Sequence, residues 1–440
     1  MTREFLLALA DLALGIPRQL LAFAARKRRL KAFGTLRSDP IPTQPSAPDS
    51  TQSTAPQANT QDRALRIVLS CGDASGEAHA VRLLKELRRL YPQVELHGFG
   101  GQELAKQGMQ VWQPLADLNV MGFRDVLAQL PLFFRCVHRF AQELLDHPPD
   151  LVVLVDYPGL NRHLLRVAKR AGVPVVDYIA PQLWAWAPWR VRDFRRADRL
   201  LTILPFESDW YARHGASASY VGHPLGDGLQ AAAASEADLP PALAADSPPT
   251  TWVGILPGSR RREIAENLPL LLEAAAILQQ RHPQLRFVLP HLRASVDQQI
   301  REALATAPVE VLYAPGCFHR VMPQLRAAWV ASGTALLEVA AHRVPPVLVY
   351  RVSSRLGAWL SRNWLAVPYI GSLNLIAGRE LAPEHLGRHL SPQALADDLE
   401  ARLDGPTRAS VLDAIEELRP AFGEPGPASR TAAILAEIVE

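Results

Sequence analysis

The sequence predicts an α/β chain built from two doubly wound domains that face a cleft. Short apolar strands alternate with helical segments in both halves, several strands end in Gly- or Ser-containing turns, and an Ala/Pro-rich stretch near 231–251 separates the two series. Such alternation implies parallel sheets covered on both faces, with ligands received at the carboxyl ends of the strands. A chain of 440 residues with 48% hydrophobic content can bury two ordinary cores and still carry tails.

Residues 1–34 hold an apolar stretch broken by Asp11, Pro17 and Arg18 and followed by Arg26-Lys-Arg-Arg29. That is no clean membrane span, and its order is wrong for a secretory leader. Phe5, Leu9, Leu12, Ile16, Leu20 and Phe23 share a helical face, so an amphipathic basic helix is one reading and a helix packed on the protein is another. Residues 35–62 mix Pro with Ser, Thr, Gln and Ala and lack large hydrophobes, the composition of a disordered linker.

The first domain is expected over 63–230. Its strands are Leu65–Ser70, a run from Val94, Leu151–Val155 ending in Asp156, and Val173–Ile179. A connecting loop is expected over 231–251 and the second domain over 252–440, its last helices packing back on the first. Strands there are expected at Trp252–Ile255, Phe287–Leu289, Val309–Leu312, Arg326–Ala331 and Val347–Tyr350.

Composition removes several function classes. A formal charge of +3 is a mild basic excess, not that of a nucleic-acid-binding protein. Cys71, Cys136 and Cys317 are widely spaced without a Cys-x-x-Cys pair, so neither a disulfide framework nor a zinc site is expected. The histidines show no metal-ligand spacing, so metal-independent chemistry without a cofactor is expected.

Two turns of the second half suit an anion. Ser332-Gly333-Thr334 lies between a strand and a helix, where backbone N–H groups and the helix start approach a diphosphate and Glu338, one turn on, reaches ribose hydroxyls. An ordinary helix cap is the competing reading. Leu256-Pro-Gly-Ser259-Arg260 is a second small-residue turn with adjacent guanidinium groups suited to phosphate.

In the first half, Asp156 ends a strand and precedes Tyr-Pro-Gly, the placement of a general base that takes the proton of a sugar hydroxyl, or of a cap on the next helix. Asp73 and Glu77 flank the Ser75-Gly76 turn, where they bind or deprotonate hydroxyls or cap a helix; Asp125 and His79 read more readily as structural. Pro181–Arg190 carries Trp184, Trp186 and Trp189, ends in Arg190 and is followed by Arg192, Arg195, Arg196 and Arg199. That pattern fits an apolar wall beside a phosphate or membrane patch better than single-stranded nucleic acid.

Taken in order from about Arg66 to Leu386, these motifs resemble the lipid-A-disaccharide synthase family. The resemblance is carried by Gly98-Phe-Gly-Gly101, Val120-Met-Gly-Phe123, Pro181-Gln-Leu-Trp-Ala-Trp186, Pro205-Phe-Glu207, Val221-Gly-His-Pro-Leu225, Leu256-Pro-Gly-Ser-Arg260, Ser332-Gly-Thr334 with Glu338, Tyr350-Arg-Val352 and Asn374-Leu-Ile-Ala-Gly-Arg-Glu380. It implies an inverting GT-B glycosyltransferase of two Rossmann-like domains. Its reaction passes 2,3-diacylglucosamine from a UDP derivative to 2,3-diacylglucosamine 1-phosphate, releases UDP and forms a β-1′,6 linkage.

On that resemblance the nucleotide sugar is held by Ser259, Arg260, Ser332, Gly333, Thr334, Glu338, Asn374 and Arg379. The acceptor side comprises Ser75, Gly76, Glu77, Met121, Gln182 and Trp184, with Asp156 and Asp73 catalytic. Peripheral attachment to the anionic inner face of the cytoplasmic membrane and a homodimer are further expectations. Three departures stand out: Gly72-Asp-Ala-Ser-Gly-Glu77 exchanges the family's two acids, Gly159 replaces an Asp, and Leu373 replaces a Pro. Against this stand a GT-B enzyme with another UDP-sugar or lipid acceptor and an inactive UDP-binding scaffold.

Overall fold

The computed structural model describes residues 64–117, 123–229, 236–244, 251–331, 333–352 and 367–440, together with Leu30. The expected basic helix and linker otherwise lie outside the described residues. The chain divides into two compact units, Met1–Pro224 with Pro425–Glu440, and Leu225–Glu424.

The first unit carries strands β1 Leu65–Cys71, β2 Val94–Phe99, β3 Gln110–Gln113, β4 Leu151–Val155, β5 Val175–Tyr178, β6 Arg199–Thr202 and β7 Ala218–Tyr220. They form one parallel sheet in the order β3-β2-β1-β4-β5-β6-β7. Its helices include α1 Ala74–Leu90, α2 Gln102–Lys106, α3 Phe123–Asp146, α4 Pro158–Arg170, α5 Leu183–Trp186, α6 Val191–Phe194 and α7 Glu207–Arg213. β4 is Leu-Val-Val-Leu-Val with every residue buried, as a strand covered on both faces requires.

The second unit carries β8 Thr251–Leu256, β9 Leu285–His291, β10 Val311–Pro315, β11 Leu325–Ala331, β12 Pro346–Arg351 and β13 Glu384–Gly387. Their order is β10-β9-β8-β11-β12-β13, again parallel throughout. Helices α8 Arg261–Arg281, α9 Asp297–Ala305, α10 Phe318–Val321, α11 Thr334–Ala341, α12 Ser372–Ala377, α13 Pro392–Glu400 and α14 Gly405–Leu418 belong to this unit. The last helix, α15 Pro427–Val439, belongs to the first, where Ala432 and Leu435 join Leu83, Leu84 and Leu87 of α1 in one core. Each such leucine, taken from water, contributes about 1.5–3 kcal/mol.

A parallel sheet whose strand order reverses opens a crevice at the carboxyl ends of the two strands at the reversal. In the first unit these are β1 and β4, paired through Cys71 and Val155. In the second they are β8 and β11, paired through Leu256 and Val330. Asp73 and Asp156 follow the first pair; Ser259, Arg260, Gly333 and Thr334 follow the second.

Candidate active site

In the first unit, β1 runs into Gly72-Asp73 and β4 into Asp156-Tyr157-Pro158. Asp156 and Tyr157 have φ of 48° and 50°, consecutive non-glycine residues in the left-handed region. Each costs about 1–2 kcal/mol, so neighbouring contacts must impose the turn. The Asp156 N–H donates to Tyr178 O at 3.0 Å, fastening the turn to β5. Tyr157 lays its ring over Gly72 so closely that a Cβ there would lie 2.2 Å from ring carbons. Its far edge meets Phe133 of α3, centroids 6.2 Å apart.

Burial lifts the Asp156 carboxyl to about 6, the charge of Asp73 adds to the rise, and an N–H from Tyr157 pulls it partly back. A carboxylate with that affinity is ionised at neutral pH yet binds a proton readily, as a general base must. The Tyr157 hydroxyl is pushed up to about 12, first by burial and then by Asp73. Asp73 is exposed and caps α1, accepting from Gly76 N–H at 2.6 Å.

Some expected acceptor residues turn inward. Glu77 is buried and accepts from Leu104 N–H at 2.9 Å, bracing the Gly98–Gly101 loop where a Cβ on Gly101 would come within 2.5 Å of its oxygen. The exchanged acids therefore divide the work by reach, since the shorter Asp73 closes its own helix turn while the longer Glu77 spans to α2. Trp184 is buried and donates its indole N–H to Glu207 at 3.0 Å; Glu207 also accepts from Ile203 and Leu204 at 3.1 and 2.9 Å. Ser75 and Gln182 are exposed and Gly76 is buried, whereas Met121 and Asp125 lie outside the described side chains. His79 accepts from Arg82 at 3.2 Å and is held neutral, lowered to about 3 by burial, Arg82 and His223.

Sequence reasoning did not single out Asn161 or Asp177. Asn161 is fully buried on α4, the one amide among Leu160, Leu164 and Leu165 on that helix's inner face. A polar residue on an apolar stripe just after a strand-end acid was the available signal. Asp177 on β5 is fully buried, and neither oxygen has a hydrogen-bond partner among the described residues. Burial, then the Asp156 charge, raises it well above the carboxylate range.

The second unit answers with amides and guanidinium groups. Gly258, at φ 114°, turns the chain so that Ser259 and Arg260 N–H both donate to Glu263, at 3.0 and 3.3 Å, while Arg260 Nη1 donates to it at 3.0 Å. His291 holds the same turn: its Nδ1 accepts from Arg293 N–H at 3.0 Å, which leaves Nε2 to donate to Gly258 O at 3.2 Å. Buried Asn267 donates to Pro257 O at 2.9 Å and accepts from Arg351 N–H at 3.0 Å, tying the β8 turn to the end of β12.

Gly333, at φ 139°, and Thr334 are exposed where α11 begins, with half-buried Glu338 one turn further. Ser332 lies outside the described residues. Asn374 departs from expectation. It is fully buried, accepts from Leu381 and Ala382 N–H at 2.8 and 2.9 Å, and donates to Ala382 O and Glu384 at 2.6 and 2.9 Å. Its amide shapes the loop and leaves nothing for a ligand, while exposed Arg379 follows the left-handed Gly378 at the end of α12. Among the described residues no group of three or more His, Cys, Asp or Glu is placed to hold a metal, and no helix is long and apolar enough to cross a membrane.

A family model described as lipid-A-disaccharide synthetase matches residues 67–429. The chain belongs to the lipid-A-disaccharide synthase family. It is 34% identical to the lipid-A-disaccharide synthase of Geobacter sulfurreducens over 382 residues, covering 86% of this chain and 99% of that one. It is 36% identical to that of Myxococcus xanthus over 380 residues, 85% and 97% of the two chains. Among solved structures, the glycotransferase of kitacinnamycin matches with a TM-score of 0.57 at 15% identity, covering 86% of this chain and 100% of that one. A UDP-GlcNAc 2-epimerase from Neisseria meningitidis bound to UDP-GlcNAc matches at 0.54 and 13%, covering 85% and 99%. These structural likenesses show the GT-B-type fold, and the family makes the chain a glycosyltransferase of lipid A biosynthesis.

Proposed function

We propose that Asp156 is the general base with which this lipid-A-disaccharide synthase family member joins two acylated sugars. The donor is UDP-2,3-diacylglucosamine and the acceptor is 2,3-diacylglucosamine 1-phosphate. The acceptor's 6-hydroxyl oxygen bonds to the donor's anomeric carbon as the bond from that carbon to the diphosphate breaks. The electron pair leaves with UDP, the hydroxyl proton passes to Asp156, and attack from the face opposite UDP inverts the centre into a β-1′,6 linkage.

The observation that carries the assignment is the strand-end placement of Asp156 at the β1/β4 reversal, with a proton affinity tuned to about 6. Charge developing on UDP is met by the backbone at Gly333 and Thr334 and by the exposed Arg260 and Arg379, while Glu338 takes the ribose. Support for a UDP-sugar ligand comes from the neighbour solved with UDP-GlcNAc.

Acylated substrates reside in a bilayer, and the protein works at the anionic inner face of the cytoplasmic membrane. Exposed Arg192, Arg195 and Arg196 border half-buried Trp186 and Trp189, with Arg190 stacked 4.8 Å over Trp186. Aromatic rings with flanking guanidinium groups suit an anionic headgroup layer.

The test incubates the purified protein with donor and acceptor and follows disaccharide and UDP by mass spectrometry. Stoichiometric formation of both is expected. UDP binding without disaccharide would overturn the assignment in favour of another acceptor or a silent scaffold.

A further inference from the structure

The left-handed pair at Asp156 and Tyr157 needs something to hold it. Pro158 follows immediately, and a proline disfavours the right-handed helical region for the residue before it, so Tyr157 cannot relax by extending α4 backward. What remains is to swing toward an extended conformation, which would carry the Asp156 carboxylate away from the β1/β4 reversal.

Asn161 stands against that movement. Its Nδ2 donates to Asp156 O at 2.5 Å, with Val155 O at 3.4 Å and Ser70 O at 3.5 Å also within reach. Its Oδ1 accepts from Ser70 Oγ at 2.7 Å, and its own backbone N–H donates to Tyr157 O at 3.2 Å. The side chain thus joins the ends of β1 and β4 and holds the Asp156 carbonyl, while the backbone N–H of the same residue holds the Tyr157 carbonyl in the first turn of α4. It is fully buried, so it acts only through the residues it holds.

We propose that Asn161 is a positioning residue of the transferase centre, the amide clamp that fixes the left-handed turn and so aims the Asp156 carboxylate. The clamp rests on the reading of Asp156 as the base. Only an amide serves here: an aspartate would set an acceptor oxygen against the Asp156 carbonyl, and a leucine of similar size would take the donor from that carbonyl and the acceptor from Ser70 Oγ.

The test compares Asn161→Leu and Asn161→Asp with the parent protein and with Asp156→Asn. Expected for both Asn161 variants is a fall in kcat of about 30-fold or more, with KM for the UDP-sugar and Kd for UDP within about twofold. Because a loosened turn lets the carboxylate meet water, the acid limb of the kcat profile should move to lower pH. Adding Tyr157→Gly to Asn161→Leu should restore part of kcat, since glycine accepts a positive φ without help. Unchanged kcat, or a loss with neither a moved limb nor rescue, would overturn the clamp.

Carboxyl 13C NMR of Asp156, assigned by its absence in Asp156→Asn, reads the clamp without substrate. The titration midpoint is expected to drop in Asn161→Leu, and an unmoved midpoint overturns the clamp. Parental turnover in Asp156→Asn removes the base reading alone, because the midpoint still reports whether Asn161 holds the turn. Circular dichroism and UDP binding show whether each variant folds; if Asn161→Leu fails them, the same readings are taken on Asn161→Ser.

Discussion

Both units place their reactive groups after the two strands at which a parallel sheet reverses order, yet the two reversals carry opposite chemistry. After β1 and β4 stand acids: a strained Asp156 lifted to about 6, an exposed Asp73, and behind them a buried Asp177 raised well above the carboxylate range. After β8 and β11 stand amides and guanidinium groups, and the carboxylate at the β8 turn is already committed. Glu263 closes on the Ser259 and Arg260 amides, and further along the sheet Glu384, at the start of β13, accepts from Ile370 and Gly371, both at 2.9 Å. On the proposed function, one topology yields a proton-accepting crevice in one unit and an anion-receiving one in the other. The difference lies in whether a carboxylate is left with few hydrogen-bond donors or given several.

The comparison breaks most visibly at Asp156. Asp156→Asn is expected to lower kcat by about a hundredfold or more while Kd for UDP, measured by calorimetry, stays within about twofold. Glu338→Ala should do the reverse, weakening UDP by about tenfold, or 1.4 kcal/mol, with a smaller change in kcat. Equal effects of the two substitutions on both quantities would mean that the units do not divide the work.

The pH profile sharpens the same contrast. The base must be ionised, so kcat is expected to fall about tenfold for each unit below the Asp156 value of about 6 and to level off above it. A profile flat down to pH 5 would show that no group of that affinity takes the proton.

Glu384→Ala should act on stability. It leaves the Ile370 and Gly371 N–H groups and one of the two Asn374 Nδ2 hydrogens without their acceptor, a loss of about 1–3 kcal/mol by denaturant unfolding. The smallest effect is at Asp177. Its folded-state proton affinity lies above the unfolded one, so the stability of the neutral form is full below the unfolded value near pH 4 and is lost as pH rises through the folded value. Asp177→Asn removes that loss and should raise Tm by an amount that grows with pH. An equal Tm difference at pH 4 and pH 8 would show that Asp177 does not titrate with folding.

Much of this was legible in the chain. Leu151–Val155 is uniformly apolar because both faces are covered, and that uniformity marked the strand and the acid ending it. Strands β3, β7 and β13 escaped notice because they are short edge strands whose residues are mostly half-exposed, and β6 because its Arg-Leu-Leu-Thr follows an arginine run that reads as surface. Site residues divide in the same way. Asp156 and Arg260 announce themselves by sitting in turns after apolar runs. Asn374 also sits among apolar residues near glycines, but only the folded loop shows its amide spent on Leu381, Ala382 and Glu384. Asn161 is the converse, a helical residue whose importance depends on carbonyls from two strands.

The division of labour between the two crevices meets its most direct test in single-turnover transfer by Asp156→Asn with saturating UDP-2,3-diacylglucosamine. A rate reduced by about a hundredfold or more, with donor affinity unchanged, is predicted. A parental rate would contradict it and remove Asp156 as the base.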